Sequence, residues 1–387
     1  MSDTSSRNAR PRNEAKQSGT SDRRKFLAGM GGLAGSVSMA PLVSQAAEDA
    51  EEGGIALKTQ GSFAVGGTVI TGSNGDTFHG DHAYVQYQIP PNPRSLPLVM
   101  WHGGGQFSKT WESTPDGRDG YQNIFLRRGF STYIIDEPRR GRAGRTTIGT
   151  TIPNAAPGES VTFNIFRLGV WDPPSPPSFW PDTQFPPGQA ALNQYWRQVT
   201  PATGPGSFGV GIAGYEFKVS AVSELFDKTG PAVLLTHSAS GGPGWLTAIR
   251  NNKVRGVIAY EPTEFVFPEG EVPTLLPAPS IGLTLAPLVV SAADFNKITR
   301  IPIQIVYGDH IPTSPPAERG YDLWYATAHN VQLFVNAVNS HGGNATVLNL
   351  PDLGIHGNTH FAFSDLNNIQ VADLLSAYLE QHGLDRR

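Results

Sequence analysis

Ala232-Val233-Leu234-Leu235-Thr236-His237-Ser238-Ala239-Ser240-Gly241-Gly242 joins a short apolar run to a serine and then to a run of small residues. An uninterrupted apolar run bounded by turn formers reads as a strand buried on both faces. The small residues after it let the chain turn sharply into a helix, so Ser238 stands at a strand-to-helix corner. At such a corner the residues two before and two after the serine crowd the turn and must be small. Here they are Thr236 and Ser240, small without being glycine.

The same rhythm extends on both sides. Pro97-Leu98-Val99-Met100-Trp101 and Thr132-Tyr133-Ile134-Ile135 read as short buried strands, with a helix around Gly120 to Arg128 between them. Strand, helix, strand alternation implies parallel pairing. Tyr215 to Asp227 fits a helix before the opening stretch, and Val254 to Tyr260, Ile301 to Tyr307 and Ala345 to Leu350 fit later strands. Asn368 to Glu380 places Ile369, Ala372, Leu375 and Leu379 at helical spacing. Phe63 to Ile70 and His82 to Ile89 read as an antiparallel edge. The expected fold class is α/β, a mostly parallel central sheet with helices on both faces and no internal repeat.

Two proline-rich stretches interrupt the alternation. Ala155 to Gly209 carries Phe163, Phe166, Trp171, Phe179, Trp180, Phe185, Tyr195 and Trp196 among its prolines. Proline makes a regular sheet unfavourable there, so the stretch is expected to be a cap, with Trp171, Trp180 and Phe185 as candidates to line an apolar pocket. Phe265 to Asp294 is a smaller insertion of the same kind.

Composition narrows the class. With 39% hydrophobic residues the chain can bury a core, and a net charge of -4 without a basic stripe sets nucleic acid aside as a partner. The absence of cysteine removes disulfides, thiol nucleophiles and thiolate metal sites together. The N-terminus differs in kind: a polar stretch leads to Ser21-Asp22-Arg23-Arg24-Lys25-Phe26-Leu27, then to a glycine- and alanine-rich, weakly apolar run, with small Ser44 and Ala46 before a cut. This resembles a twin-arginine export signal. It implies a leader over 1–46, a folded chain over 47–387, the twin-arginine export machinery as a partner, and a periplasmic or secreted destination.

A serine hydroxyl is a poor nucleophile near neutral pH, so work at Ser238 needs a base, a carboxylate to orient it, and donors for an oxyanion. His102-Gly103-Gly104-Gly105 follows a strand directly, where glycines let backbone N–H groups approach a ligand. The N–H groups of Gly104 and Ala239 are the expected donors. His356 and His360 both precede the final helix; His360, followed by Phe361, is the expected base and His356 the alternative. Glu261, at the end of the strand Val254 to Tyr260, is the expected acid, with Asp309 the alternative. His102, His237, His356 and Asp309 are expected to neighbour the reacting groups.

Taken in order, His102-Gly103, the run Thr110-Trp111-Glu112-Ser113-Thr114-Pro115-Asp116-Gly117-Arg118, Asp182-Thr183-Gln184-Phe185-Pro186, His237-Ser238-Ala239-Ser240-Gly241, Glu261-Pro262 and Gly357-Asn358-Thr359-His360 resemble a group of exported bacterial carboxylesterases within the α/β-hydrolases. The resemblance spans roughly residues 97 to 380 in blocks. It implies Ser238 as nucleophile, Glu261 after strand six as acid, His360 as base, and Gly104 and Ala239 as oxyanion donors. A studied member of the group carries two adjacent, disulfide-linked cysteines where this chain has Gly104 and Gly105. The backbone donors survive that change; the covalent brace does not.

The function implied is a serine carboxylic-ester hydrolase acting on a small-molecule ester through an acyl-enzyme, with no cofactor and no metal. Another triad-dependent acyl hydrolase or transferase, such as an amidase or lactonase, shares the covalent step. An exported non-catalytic binding protein would keep the fold without the chemistry. The sequence leaves acyl-chain length and oligomeric state open, a homodimer included.

Overall fold

The computed structural model describes residues 54–387 except 150–151, 153–157, 205–210, 283–284 and 317–319. The expected leader, its cleavage site and parts of both insertions lie outside the described residues. The principal sheet has eight strands: β1 (Thr59–Val65), β2 (Ala83–Ile89), β3 (Leu98–Trp101), β4 (Thr132–Asp136), β5 (Ala232–His237), β6 (Val254–Tyr260), β7 (Pro302–Tyr307) and β8 (Asn344–Asn349). Their order is β1-β2-β4-β3-β5-β6-β7-β8. β1 pairs antiparallel with β2, and β2 with β4; every later pairing is parallel. The expected antiparallel edge is present, but the run Phe63 to Ile70 is two strands. Gly66 and Gly67 take positive φ values of 64° and 101°, and the chain re-enters as a separate hairpin, Thr68–Thr71 with Thr77–Gly80.

Helices of seven residues or more are α1 (Tyr121–Arg127), α2 (Glu159–Ile165), α3 (Gln189–Arg197), α4 (Gly211–Thr229), α5 (Gly241–Arg250), α6 (Ala292–Ile298), α7 (Tyr321–Ser340) and α8 (Asn368–Gln381). Every residue of β3 and of β5 is buried, as uninterrupted apolar runs require of strands covered on both faces. Alternate residues divide between two cores because successive side chains leave a strand on opposite faces. Val99, Trp101, Leu234 and Val257 pack with Tyr215, Trp245 and Phe334 of α4, α5 and α7. Leu98, Met100, Leu235 and Ile258 pack with Tyr121, Phe125 and Leu375 of α1 and α8.

Helix α7 is absent from the sequence expectation, although Leu323, Trp324, Val331, Phe334, Val335 and Val338 recur at helical spacing and are buried. Among the described residues of the cap, the strand pairing is the two-residue one of Gly169–Val170 with Ser178–Phe179, and α2 and α3 are its helices. The smaller insertion holds a parallel pair, Val266–Pro268 with Leu288–Val290. No helix among the described residues is long and apolar enough to cross a membrane.

Candidate active site

β5 ends at His237 and α5 begins at Gly241, with Ser238 between them at a φ of 53°. The left-handed region costs an L residue about 1–2 kcal/mol, so the neighbours must hold it. His237 N–H donates to Ser240 Oγ at 2.9 Å, and Ser240 Oγ in turn donates to the Trp101 carbonyl at 3.0 Å. Ser240 therefore ties the corner to the end of β3. On its other side a Cβ on Gly241 would lie 2.5 Å from Pro262 Cβ, so the chain after β6 presses directly on the start of α5.

β6 ends in Glu261, also left-handed at a φ of 47°. Its Oε2 lies 2.6 Å from His360 Nδ1, while Oε1 accepts the Gly308 N–H at 2.7 Å and Arg167 Nη2 at 2.5 Å. Glu261, His360 and Arg167 are all buried. His360 N–H donates to the Phe166 carbonyl at 3.1 Å, and the Phe166 ring stacks on the imidazole at 4.9 Å. The His237 ring stands 4.4 Å from that of His360, with Nε2 3.0 Å from the His360 carbonyl. His237 directly precedes Ser238, so this ring contact lies one residue along the chain from the serine. Burial pushes the Glu261 carboxyl up, but the Arg167 charge and the His360 hydrogen bond outweigh it and hold the group below its ordinary value. Burial holds His360 below its ordinary value despite Glu261, which keeps the imidazole neutral and so able to accept a proton.

The glycine loop after β3 closes over the corner. A Cβ on Gly103 would stand 2.7 Å from His237 Nδ1 and 3.1 Å from Ser238 Cβ, so only glycine admits this approach. His102 Nε2 accepts the Glu137 N–H at 3.1 Å, which leaves Nδ1 to donate to the Gly103 carbonyl at 2.8 Å. Buried Glu137 is gripped by Lys218 at 3.0 Å and Arg140 at 3.1 Å and held at about 2 despite its burial. Gly105 has a φ of 72°, and its carbonyl accepts the Thr200 N–H from the cap at 2.7 Å.

No protein-family model matches the chain. The solved structure of a novel bacterial esterase is 31% identical, with a TM-score of 0.66 over 85% of this chain and 98% of that one. The chain belongs to the bacterial esterases of the α/β-hydrolase fold. A probable secreted lipase, phiG, of a fungal species (strain ATCC 74256) is 25% identical over 325 residues, 77% of this chain and 85% of the lipase.

The hydrolase places the alternative base and the alternative acid together, their side chains bonded to each other and not to the buried pair. His356, 60% exposed at its side chain, has Nδ1 3.1 Å from Asp309 Oδ2, and the same oxygen accepts the Gly357 N–H at 2.9 Å. His310 Nε2 lies 3.0 Å from Asp182 Oδ1, under the stacked Trp180 ring. Asp182, Asp309 and His310 each bring one ligand atom within 4.8 Å of the others, a grouping of metal-binding residue types that sequence spacing did not reveal. Those atoms already engage one another or backbone N–H groups.

Of the pocket candidates, Phe185 is 1% exposed and packs inside the cap against Phe179 and Tyr195. A ring so enclosed is a structural plank of the cap. Trp171, half-buried, meets Phe163 edge-on at 5.8 Å.

Three residues of the hydrolase escaped sequence reasoning. Arg167 reaches Glu261 from the cap. Asp365 accepts the Thr359 N–H at 2.7 Å and hydroxyl at 2.9 Å, and Asn358 Nδ2 at 3.1 Å, fixing the turn that carries His360. Arg118 donates to Asn368 Oδ1 at 2.9 Å and to the Asp365 carbonyl at 3.2 Å. Asp365 on the final loop and Arg118 in a polar run carry no local signal of such roles, whereas Arg167, a lone charge among Ile165, Phe166, Leu168 and Val170, is the one that its apolar neighbours mark out.

Proposed function

We propose that the protein is an exported serine carboxylic-ester hydrolase working through an acyl-enzyme. The observation that carries the reading is the buried Glu261–His360 pair at 2.6 Å, beside a serine held at a left-handed corner. With Nδ1 committed to Glu261, His360 Nε2 is the nitrogen that takes the Ser238 proton as Oγ attacks the ester carbonyl carbon. The N–H groups of Gly104 and Ala239 receive the oxyanion. His360 then returns the proton to the departing alcohol, leaving Ser238 acylated. Water, deprotonated by the same imidazole, attacks the acyl carbon, and the acid leaves as Ser238 recovers its proton.

A fluorophosphonate tests the covalent step without knowledge of the natural substrate. The wild type is expected to form one adduct, at Ser238, and Ser238→Ala none, with loss of p-nitrophenyl acetate hydrolysis. Full hydrolysis by Ser238→Ala rejects the reading. Export rests on Arg23-Arg24 and the secreted relative. A periplasmic protein beginning near Ala47, retained in the cytoplasm when both arginines become lysine, supports it; export of the lysine variant rejects it.

A further inference from the structure

Arg167 follows α2 in the cap, at a φ of 61°, with its side chain wholly buried. The guanidinium works in three directions. Nη2 donates to Glu261 Oε1 at 2.5 Å, Nε donates to the Asp309 carbonyl at 2.7 Å, and the planar face lies over the Trp324 ring at 4.5 Å. Trp324 also stands 4.5 Å from the His360 ring. The residue before Arg167 supplies both the carbonyl that receives the His360 N–H and the ring stacked on the imidazole. One turn of the cap thus touches both members of the pair.

We propose that Arg167 is a positioning residue of the reaction: the cap supplies the counter-charge that holds the Glu261 carboxylate with Oε2 on His360, and so forms part of the frame of the catalytic site. This rests on the serine-hydrolase reading.

Charge balance gives the reason. At rest the buried group is one cation, one carboxylate and a neutral imidazole, with no net charge. When Ser238 loses its proton the imidazolium and the oxyanion arise together, and the sum is again zero. Without Arg167 the resting pair would be a lone buried anion, which burial disfavours strongly. It would relieve that charge by taking up a proton at higher pH, whichever of the two residues carries it. Either protonated form disables the base.

The other titratable groups facing the pair do not supply this charge. His237 is held well below its ordinary value by burial and by His360, so it is neutral; burial pushes the Tyr307 phenol up, and its hydroxyl donates to the Pro262 carbonyl. Asp365 is acidic, its carboxyl pushed up to about 7 by burial. When ionised it adds negative charge, so it cannot replace the counter-charge of Arg167.

The test is the rate of fluorophosphonate labelling of Ser238 against pH, for wild type, Arg167→Met and Arg167→Lys, beside kcat and KM for p-nitrophenyl acetate. Arg167→Met is expected to label at least tenfold more slowly, with its acid midpoint raised by roughly 1–3 pH units and KM little changed. Arg167→Lys keeps the charge and loses the fork, so its rate should fall while its midpoint stays near that of the wild type. Wild-type rate and midpoint in Arg167→Met overturn the proposal. If Arg167→Met does not fold, Arg167→Lys decides: a slower rate at an unchanged midpoint supports it, and a wild-type rate overturns it. No labelling of the wild type itself would instead sink the serine-hydrolase reading.

Discussion

Gly244, in the first turn of α5, faces Thr236, two residues before the serine, so closely that a Cβ on Gly244 would stand 2.6 Å from Thr236 Cγ2. The threonine that stands in this crowded strand position is thus accommodated by a glycine in the helix. Gly244→Ala should gain slightly from helix propensity but lose more to the clash, a net cost of about 1–3 kcal/mol. Thr236→Gly should rescue it. Denaturant titration of the two single variants and the double variant reads the coupling; strict additivity would show that the contact is without consequence.

The two histidines before α8 should separate cleanly. His360→Ala is expected to lower kcat by about 10³-fold or more, as loss of a general base and its hydrogen bonds does. His356→Ala, removing a largely exposed ring, should leave kcat within about twofold. Steady-state kinetics on p-nitrophenyl acetate decide it, and a large loss in His356→Ala would reverse the assignment.

Asp365 makes stability depend on pH. Burial pushes its carboxyl from 3.8 to about 7 in spite of three hydrogen bonds. A carboxyl whose pKa rises on folding contributes fully below its unfolded value, and that contribution is lost as pH rises through the folded value. Asp365→Asn stays neutral and can still accept from Thr359. Its Tm minus that of the wild type should therefore grow as pH goes from about 4 to above about 7. Parallel Tm curves across that window would contradict the assignment.

Arg118 clamps the same turn from the far side, reaching the Asp365 carbonyl and Asn368 Oδ1. Arg118→Ala should cost about 1–3 kcal/mol, the range for charged hydrogen bonds lost at a partly buried site. It should also raise hydrogen exchange at residues 358–366 more than in the sheet. Uniform exchange would mean that the clamp does not act locally.

Much of the fold was legible because the signals are local. Apolar runs bounded by turn formers identify β3, β5 and β6, and a serine, a glycine loop and a late histidine each occupy a place defined by the next few residues. Helix α7 had its periodicity in plain view. The cap aromatics were harder: composition shows that Phe185 and Trp171 are apolar, while which rings face one another depends on how α2 and α3 pack.

The sequence by itself determined most of the succession of strands and helices along the chain, the corner at Ser238 and the short set from which an acid and a base could come. Only the tertiary structure paired Glu261 with His360, across 99 residues, and sent Asp309 to His356. It alone brought Arg167 to Glu261 from 94 residues away and set Gly244 under Thr236. The reason is physical. Local dihedrals and hydrophobic periodicity are written in neighbouring residues, whereas a buried charge selects its partner only after the sheet and cap have excluded water around it.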